Sequence, residues 1–510
     1  MASRRDELNA YTFAKRRLIA QFVQPSPTGS EEGAPRPLRA VVPGAIVGVV
    51  VLAVFGAWGM FKPVAPKDWA KPEENVIIAS KSTTRYVVLK TGDRTQLHPV
   101  LNMSSAKLLL APDKGKVINV DESVLDNGKI PHGATLGIPY APDRLPDAKE
   151  AGATKRWAVC ERPGEGGRAI QKASFVFAER EQKKTEGANQ LRGGQLLYVE
   201  DSATKTRYVV DAEGKAYEVE KDNNLLVSQL VGSGTKPQRV STGWLETLHK
   251  GDPITFPEIE GTPGDDADAP GELDAEANTV GTVLTATDGT RNQHYLVLEG
   301  RVAPVSDFTA KLLLNSKDLI DVGQAGKARP VSRAAIQPGE AFGQDRDWPE
   351  NAPESVNSAG TGDDSRNTVC NVLHEVDEDN GTTTLSTWAG TDFPATLPTG
   401  SSSGYVTPGS GQLFRQFKGS TTESGFVFLV TDTGLRYAMQ SNGDSATDDS
   451  GIGSSGSAEQ KQAAQQEAQQ AQNRLGYKDV DPAPIPAAWS AFLPTGPRLS
   501  TGAARQPQGS

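Results

Sequence analysis

Five histidines, two cysteines, two glycine-rich stretches and one acidic run are the parts of this 510-residue chain whose residue types could carry chemistry. His98, His132, His249, His294 and His374 never occur as an i,i+4 pair with Glu between, the spacing that places two zinc ligands on one helix face. Gly323-Gln324-Ala325-Gly326-Lys327-Ala328 looks like a phosphate-binding loop, but its glycines are too close and it ends in Ala instead of Ser or Thr. Gly400-Ser401-Ser402-Ser403-Gly404 matches the nucleophile-elbow pattern in letters. Pro398 and Pro408 flank it in a Ser/Gly-rich loop, without the strand and helix that would expose a strained serine. The acidic run from Glu258 to Asn278 lacks the alternating ligand spacing of a calcium loop and reads as a solvated linker. No catalytic group, metal or cofactor is expected.

Cys160 and Cys370 remain, and their chemistry depends on the compartment. Ala40 to Phe61 carries no ionisable side chain across 22 residues. At ~1.5 Å per residue it can cross a hydrocarbon core of ~30 Å with a little tilt. Pro43 is expected in the first turn of this helix and Trp58 near the far interface. Seven Lys and Arg residues precede the span, against three lysines in the stretch just after it, so the N-terminus is expected inside. The apolar run is too long and too far from the start for a cleaved signal peptide, and reads as a retained anchor. About 450 residues then lie outside the cytoplasm, where two cysteines are the natural count for one disulfide; two buried free thiols are the alternative.

The segment before the span carries a net charge of +3 and the region after it −13. An acidic exterior argues against nucleic-acid partners. The 52 glycines and 34 prolines favour short strands and many turns over a large helical enzyme core.

An internal repeat organises the outer region. Four times an aromatic and two branched residues are followed by a turn glycine: Tyr86 with Gly92, Tyr208 with Gly214, Tyr295 with Gly300, and Phe428 with Gly434. Each reads as a hairpin anchored by its aromatic. Short helical segments follow three of them, at Leu101–Leu110, Leu225–Leu230 and Val305–Leu314. A longer duplication overlies these: Tyr86 matches Tyr295, Lys107 matches Lys311, Ile130-Pro131-His132-Gly133 matches Ile336-Gln337-Pro338-Gly339, and Val159-Cys160 matches Val369-Cys370. If a pseudo-two-fold axis relates the halves, both thiols approach it and can meet.

On the inner side, Tyr11, Ala14, Leu18 and Phe22 recur at helical spacing beside Lys15, Arg16 and Arg17. Tyr11, Lys15, Arg16, Arg17, Leu18 and Phe22 are the candidate docking residues for anionic headgroups or a partner helix. Gly343 to Asn367 reads as a polar insert. The Ala/Gln tract Ala458 to Arg474 lacks an apolar stripe and is expected exposed or disordered. The C-terminal run with Tyr477, Ile485, Trp489, Phe492 and Leu493 is too apolar for a free tail and is expected to pack on the body.

In order and spacing, these features resemble the EccB family, a membrane subunit of actinobacterial type VII secretion systems. The resemblance rests on Tyr11-Thr12-Phe13-Ala14-Lys15-Arg16-Arg17-Leu18, the single span, the four repeats and the two cysteines. Leu475-Gly476-Tyr477 and the run from Pro484 to Pro497 add to it. It implies an α+β, β-rich protein, with one transmembrane helix and an elongated extracytoplasmic domain. That domain would have a central β core closed by a disulfide and four small repeat modules in pseudo-two-fold arrangement. It implies assembly with the EccC ATPase, EccD and EccE, and association with a mycosin protease. The function expected is a non-catalytic, membrane-anchored scaffold of the export machine. A peptidoglycan-binding envelope protein and an ATPase, as some members are labelled, are the alternatives.

The divisions expected are a cytoplasmic segment (1–39), the span (40–61), a connector (62–75), repeat module 1 (76–112) and the first half of the core (113–190). Module 2 (191–250), an acidic linker (251–279), module 3 (280–330), the second half of the core (331–410) and module 4 (411–440) follow. A low-complexity linker (441–474) and a Pro-rich C-terminal segment (475–510) complete the chain.

Overall fold

The computed structural model describes residues 3–23, 37–61, 65–91, 93–164, 169–220, 222–289, 291–360, 365–398, 403–439 and 468–508. The N-terminal part consists of two helices, Arg4–Val23 and Pro37–Phe61. Val41–Gly59 of the second is, among the described residues, the one stretch long and apolar enough to cross a membrane. Pro43 is not in the first turn: the helix starts at Pro37, so Pro43 lies inside it. Pro37 takes the first helical position, where a missing N–H is free of cost, whereas Pro43 removes one bond of the ladder.

The large C-terminal part is β-rich. Its central sheet has five strands in the order Thr383–Gly390, Thr368–Val376, Arg156–Pro163, Ile170–Phe177 and Gly404–Val406. One hairpin comes from each half of the duplication, and the hairpins join through the antiparallel pair Arg156–Pro163 and Thr368–Val376. Cys160 faces Cys370, Val159 faces Asn371, and Glu161 faces Val369. Since Val369 and Asn371 are the duplicates of Val159 and Glu161, this register is a local two-fold centred on the cysteines.

Four small sheets accompany the central one, and each follows one plan: three antiparallel strands, a short helix, then a fourth strand hydrogen-bonded beside the first. In module 2 the strands Gln195–Asp201, Arg207–Val210 and Lys215–Val219 precede helix Asn224–Val231, and Gln238–Val240 pairs parallel with the first strand. In module 3, Val283–Asp288, Arg291–Leu298 and Arg301–Val305 precede helix Asp307–Leu313, and Arg329–Pro330 returns parallel. Module 1 uses Asn75–Ala79, Arg85–Thr91, Arg94–Val100, helix Met103–Leu109 and Lys116–Val120. The hairpin glycines Gly214, Gly300 and Gly434 all have positive φ, which a side chain would strain; Gly92 lies outside the described residues.

Module 4 does not end at 440. After Gly411–Phe417, Phe426–Thr431 and Arg436–Ala438, its helix is residues 468–475 and its fourth strand is Ala483–Pro486, parallel to the first. The described end of the Ala/Gln tract is therefore neither exposed nor disordered. Ala468, Ala471 and Leu475 form an i, i+3, i+7 stripe with at most 4% exposure. Gln472 Nε2 donates to the carbonyls of Tyr477 (2.9 Å) and Val480 (2.7 Å). Alanine supplies a narrow apolar stripe that a hydropathy reading passes over. The rest of the tract and the Ser/Gly-rich linker before it lie outside the described residues. The C-terminal run packs: Tyr477, Trp489, Leu493 and Leu499 are buried.

Two inserts also differ from the sequence expectation. The acidic run 258–278 is a folded cover on module 3, not a solvated linker: Ala267, Ala269 and Ala277 are buried between outward carboxylates. The 343–360 stretch is a strap. Glu354–Ser355 pairs with Gln195–Leu196, and buried Asn357 bonds both the N–H (2.7 Å) and the carbonyl (3.1 Å) of Tyr198.

Candidate functional site: the bridged seam and its repeat anchors

Cys160 and Cys370 form a disulfide at the two-fold pair, and both are fully buried. Ala173 lies opposite Cys160 and Trp388 opposite Cys370 on the flanking strands. Phe175, Phe177, Val372 and the half-buried Phe393 and Leu397 complete this face. The other face carries Trp157, Val159, Val369 and Leu373, on which modules 2 and 4 pack through Val199, Val210, Trp244, Phe414, Val430 and Trp489. Trp157 Nε1 donates to Gln412 Oε1 at 2.8 Å and Trp244 Nε1 to the Val159 carbonyl at 3.2 Å. The core therefore holds modules from both halves.

The positions next to the bridge break the symmetry. Glu161 and its duplicate Asn371 are both fully buried and polar, and both grip one short helix, Thr242–Leu245. Glu161 accepts from the N–H (2.7 Å) and hydroxyl of the helix cap, Ser241, with Lys172 Nζ at 3.6 Å. Asn371 Nδ2 donates to the Trp244 carbonyl (3.1 Å) and to Thr247 Oγ1 (2.6 Å) at the other end. Burial pushes the Glu161 carboxyl above its usual range, and the Ser241 bonds and the nearby ammonium offset part of that.

The repeat aromatics differ in burial. Tyr295 and Phe428 are buried, Phe428 stacking on Phe414 at 5.5 Å, whereas Tyr86 and Tyr208 are half-buried, with Tyr86 edge-on to His132. The residues at the heart of each sheet are the branched pairs after them: Val87-Val88, Val209-Val210, Leu296-Val297 and Leu429-Val430, each at most 1% exposed.

A second repeat element escaped the sequence reading. After each helix-bearing unit the chain returns along the outside of the third strand, and a glycine N–H donates to that strand's backbone. The pairs are Gly133 to Leu97, Gly251 to Ala216, Gly339 to Val302 and Gly496 to Arg436, at 2.8–2.9 Å. In three modules an aromatic ring fills the space where a Cβ would stand: His98 at 2.2 Å, Tyr217 at 2.3 Å and Tyr437 at 2.4 Å. In module 3 the ring position is Ala303, and a Cβ on Gly339 would meet nothing nearer than 3.7 Å. The matched Pro131-His132-Gly133 and Gln337-Pro338-Gly339 marked half of this element in the sequence; the other two copies share only the glycine.

Lys107 and Lys311, also duplicates, each donate from Nζ to a backbone carbonyl at 3.2 Å, those of Leu475 and Pro353. Burial lowers both ammonium groups from the usual lysine value. Each ties a module helix to a neighbour: module 1 to module 4, and module 3 to the strap over module 2.

Of the histidines, His98 and His132 belong to the first module's glycine contact, His249 meets Thr383 (2.7 Å), His294 meets Asp307 (2.8 Å) and His374 meets Ser386 (2.7 Å). Among the described residues no group of three or more metal-ligating side chains converges. Gly323 caps the 3₁₀ helix Lys317–Val322 with positive φ, and Lys327 runs into the Arg329–Pro330 strand. This is helix, turn, strand, the reverse of the strand, loop, helix order that cradles phosphate. Residues 399–402 of the elbow-like loop lie outside the described residues. The docking residues sit together on Arg4–Val23, with Tyr11, Leu18 and Phe22 67%, 69% and 91% exposed. At ~100° per residue Lys15 falls at the margin of the stripe formed by Tyr11, Leu18 and Phe22, Arg16 falls nearly opposite it and Arg17 on its flank.

A sequence profile described as "Type VII secretion system ESX-1, transport TM domain B" matches residues 1–509. The chain is similar to a protein named ESX-3 secretion system ATPase EccB3 from Mycolicibacterium smegmatis, at 26% identity over 91% of this chain and 83% of that one. It is similar to the EccB3 of Mycobacterium tuberculosis at 25% identity over 97% and 88%. Its fold matches a chain of an intact ESX-5 inner membrane complex with TM-score 0.55 and 20% identity, covering 100% of this chain and 96% of that chain. It also matches a chain of an EccB3 dimer from the ESX-3 core complex, with TM-score 0.53 and 23% identity over 84% and 99%. The chain belongs to the EccB family, the transport domain B of type VII secretion systems.

Proposed function

We propose that this protein is a membrane-anchored structural subunit of a type VII secretion complex, scaffolding the extracytoplasmic side of the export machine. The observation that carries this reading is the bridged central sheet: it joins two duplicated halves through one buried disulfide, and modules from both halves pack on it. The charge asymmetry about Val41–Gly59 supports an inside N-terminus and an outside C-terminal domain. The exposed apolar stripe of Tyr11, Leu18 and Phe22, with Lys15, Arg16 and Arg17, suits docking on anionic headgroups or a partner helix on the cytoplasmic side. EccC, EccD, EccE and a mycosin protease are the partners this reading names.

Full-length protein purified in mild detergent should bring a large membrane assembly with it. Binding of the protein to wall sacculi without any such assembly would sink the scaffold in favour of a peptidoglycan-binding role. The relatives' name makes ATP hydrolysis a second reading, but the helix–turn–strand order around Gly323–Lys327 speaks against a phosphate cradle there. An ATPase rate of the pure full-length chain that one point substitution abolishes would reverse this judgement.

A further inference from the structure

Tyr140 occupies a backbone position that favours glycine, and its side chain is 90% exposed. It belongs to the turn Ile138-Pro139-Tyr140-Ala141, in which the Ala141 N–H donates to the Ile138 carbonyl at 3.3 Å. Pro139 takes the second position and Tyr140 the third, with φ 62°. This is the pattern of a type II turn, whose third position calls for Gly or Asn, and a bulky side chain there is strained. The turn cannot relax because both flanks are held. Ile138 and Ala141 are buried in the core of module 1. Asn102 Nδ2 donates to the Ile138 carbonyl (2.7 Å), the Ile138 N–H donates to Ser105 Oγ (2.8 Å), and the Ser104 hydroxyl donates to the Pro142 carbonyl. Beyond the turn, Asp143 accepts from the Met103 N–H (2.9 Å) and pairs with Arg85. Tyr140 is therefore a rigid projection. Leu101, 42% exposed, packs at Gly137 just before it.

Module 3 shows the same region closed on itself. Its returning segment passes the third strand with the Phe342 N–H on the Pro304 carbonyl, as in module 1 the Leu136 N–H lies on the Pro99 carbonyl, both at 2.9 Å. Six residues further on stand Trp348 and Pro142, each against the second residue of the module helix. Trp348 meets Phe308 edge-on at 6.2 Å and donates to the Pro253 carbonyl at 3.1 Å, whereas the Pro142 carbonyl accepts from Ser104. Module 3 closes with an aromatic inside; module 1 closes with polar bonds and holds its aromatic outside. A projecting ring has no concave site of its own, so the concavity belongs to what it meets, which excludes a small molecule or an ion. A lipid surface draws in rings alongside free cations, but Arg85 beside this turn is paired with Asp143. A protein socket, in contrast, gains from a ring that is already ordered.

We propose that Tyr140, with Leu101 beside it, anchors a contact with a different polypeptide, which offers an apolar socket for the ring and a backbone carbonyl for its hydroxyl, as Phe308 and the Pro253 carbonyl receive Trp348. The inference rests on the scaffold reading, which supplies that polypeptide. The test uses the full-length protein with the assembly it carries in mild detergent. Tyr140→Gly relieves the turn and removes the anchor, so two readouts part: the thermal midpoint of the chain stays at or above the parent's, while the partner retained per chain after a high-salt wash falls at least fivefold. Tyr140→Cys labelled with a benzophenone maleimide, the native cysteines being joined to each other, should photo-cross-link to one polypeptide of that assembly. Undiminished retention by Tyr140→Gly would overturn the inference, and so would cross-linking to lipid or to a second copy of this chain. A fall in midpoint together with retention would overturn it too, by making the ring a structural part of module 1. A parent that carries no assembly at all would overturn the scaffold reading and this inference with it.

Discussion

The two halves of the duplicated region share the bridged register pair, differ beside it only at Glu161 and Asn371, and diverge more widely where they face outward. At the seam Cys160 and Cys370, and Val159 and Val369, keep matching roles, and on the module helices Lys107 and Lys311 do so too. Away from it, equivalent positions part company. Module 3 is wrapped by an acidic cover and its fourth strand is two residues ending in Pro330, while the fourth strand of module 1 has five residues and no proline. Trp348 of the second-half strap packs on Phe308 at 6.2 Å and donates to the Pro253 carbonyl, whereas Tyr140 in the first half is 90% exposed. The lesson is that duplication conserves what the shared core needs and frees the periphery to specialise.

The strongest way to break this comparison is to remove its centre. Replacing Cys160 and Cys370 together by Ala opens a bridge spanning 210 residues and should cost ~2–5 kcal/mol. Chemical denaturation of oxidised and reduced protein measures it, and equal midpoints would mean that the sheet needs no closure.

Next comes the glycine contact, which separates equivalent positions in two modules. Gly251→Ala drives a methyl into the Tyr217 ring and should cost ~1–3 kcal/mol. Gly339→Ala makes only ordinary contacts, with Arg301 and Val302 at 3.7 Å, and should stay within ~0.5 kcal/mol of the parent. Equal losses would show that the two contacts are the same despite Ala303.

The smallest effect distinguishes Glu161 from its duplicate Asn371. Glu161's folded-state pKa is raised by burial, so the folded protein binds its proton more tightly than the unfolded chain does. The stability this contributes is full below the unfolded pKa and is lost as pH rises through the folded one. Glu161→Gln should therefore flatten that loss, and the variant should gain on the parent as pH increases from 4 to 8. A parallel pair of stability–pH curves would mean that the charge is fully compensated by Ser241 and Lys172.

Hairpins and the bridge were legible because they are encoded locally. An aromatic, a branched pair and a turn glycine lie within seven residues, and the cysteines sit at equal places in two copies. What escaped reading depends on partners far along the chain. The parallel fourth strand of module 4 comes from Ala483–Pro486, beyond a low-complexity insert, and no window spans both strands. The 258–278 cover was hidden by its charge, although Asp266-Ala267-Asp268-Ala269 alternates with period two and its alanines are the buried set. The stripe in residues 468–475 was hidden because alanine adds little hydropathy.

By itself the sequence determined the apolar span, the charge difference across it, the fourfold hairpin and the twofold duplication, because each is a matter of composition or short-range spacing. Only the tertiary structure decided that the cysteines share one register pair, that Glu161 and Asn371 grip a single helix, and that the fourth strand of module 4 is Ala483–Pro486. Those are properties of strands brought together from distant positions, where burial and pairing are set by neighbours in space and not by neighbours in the chain.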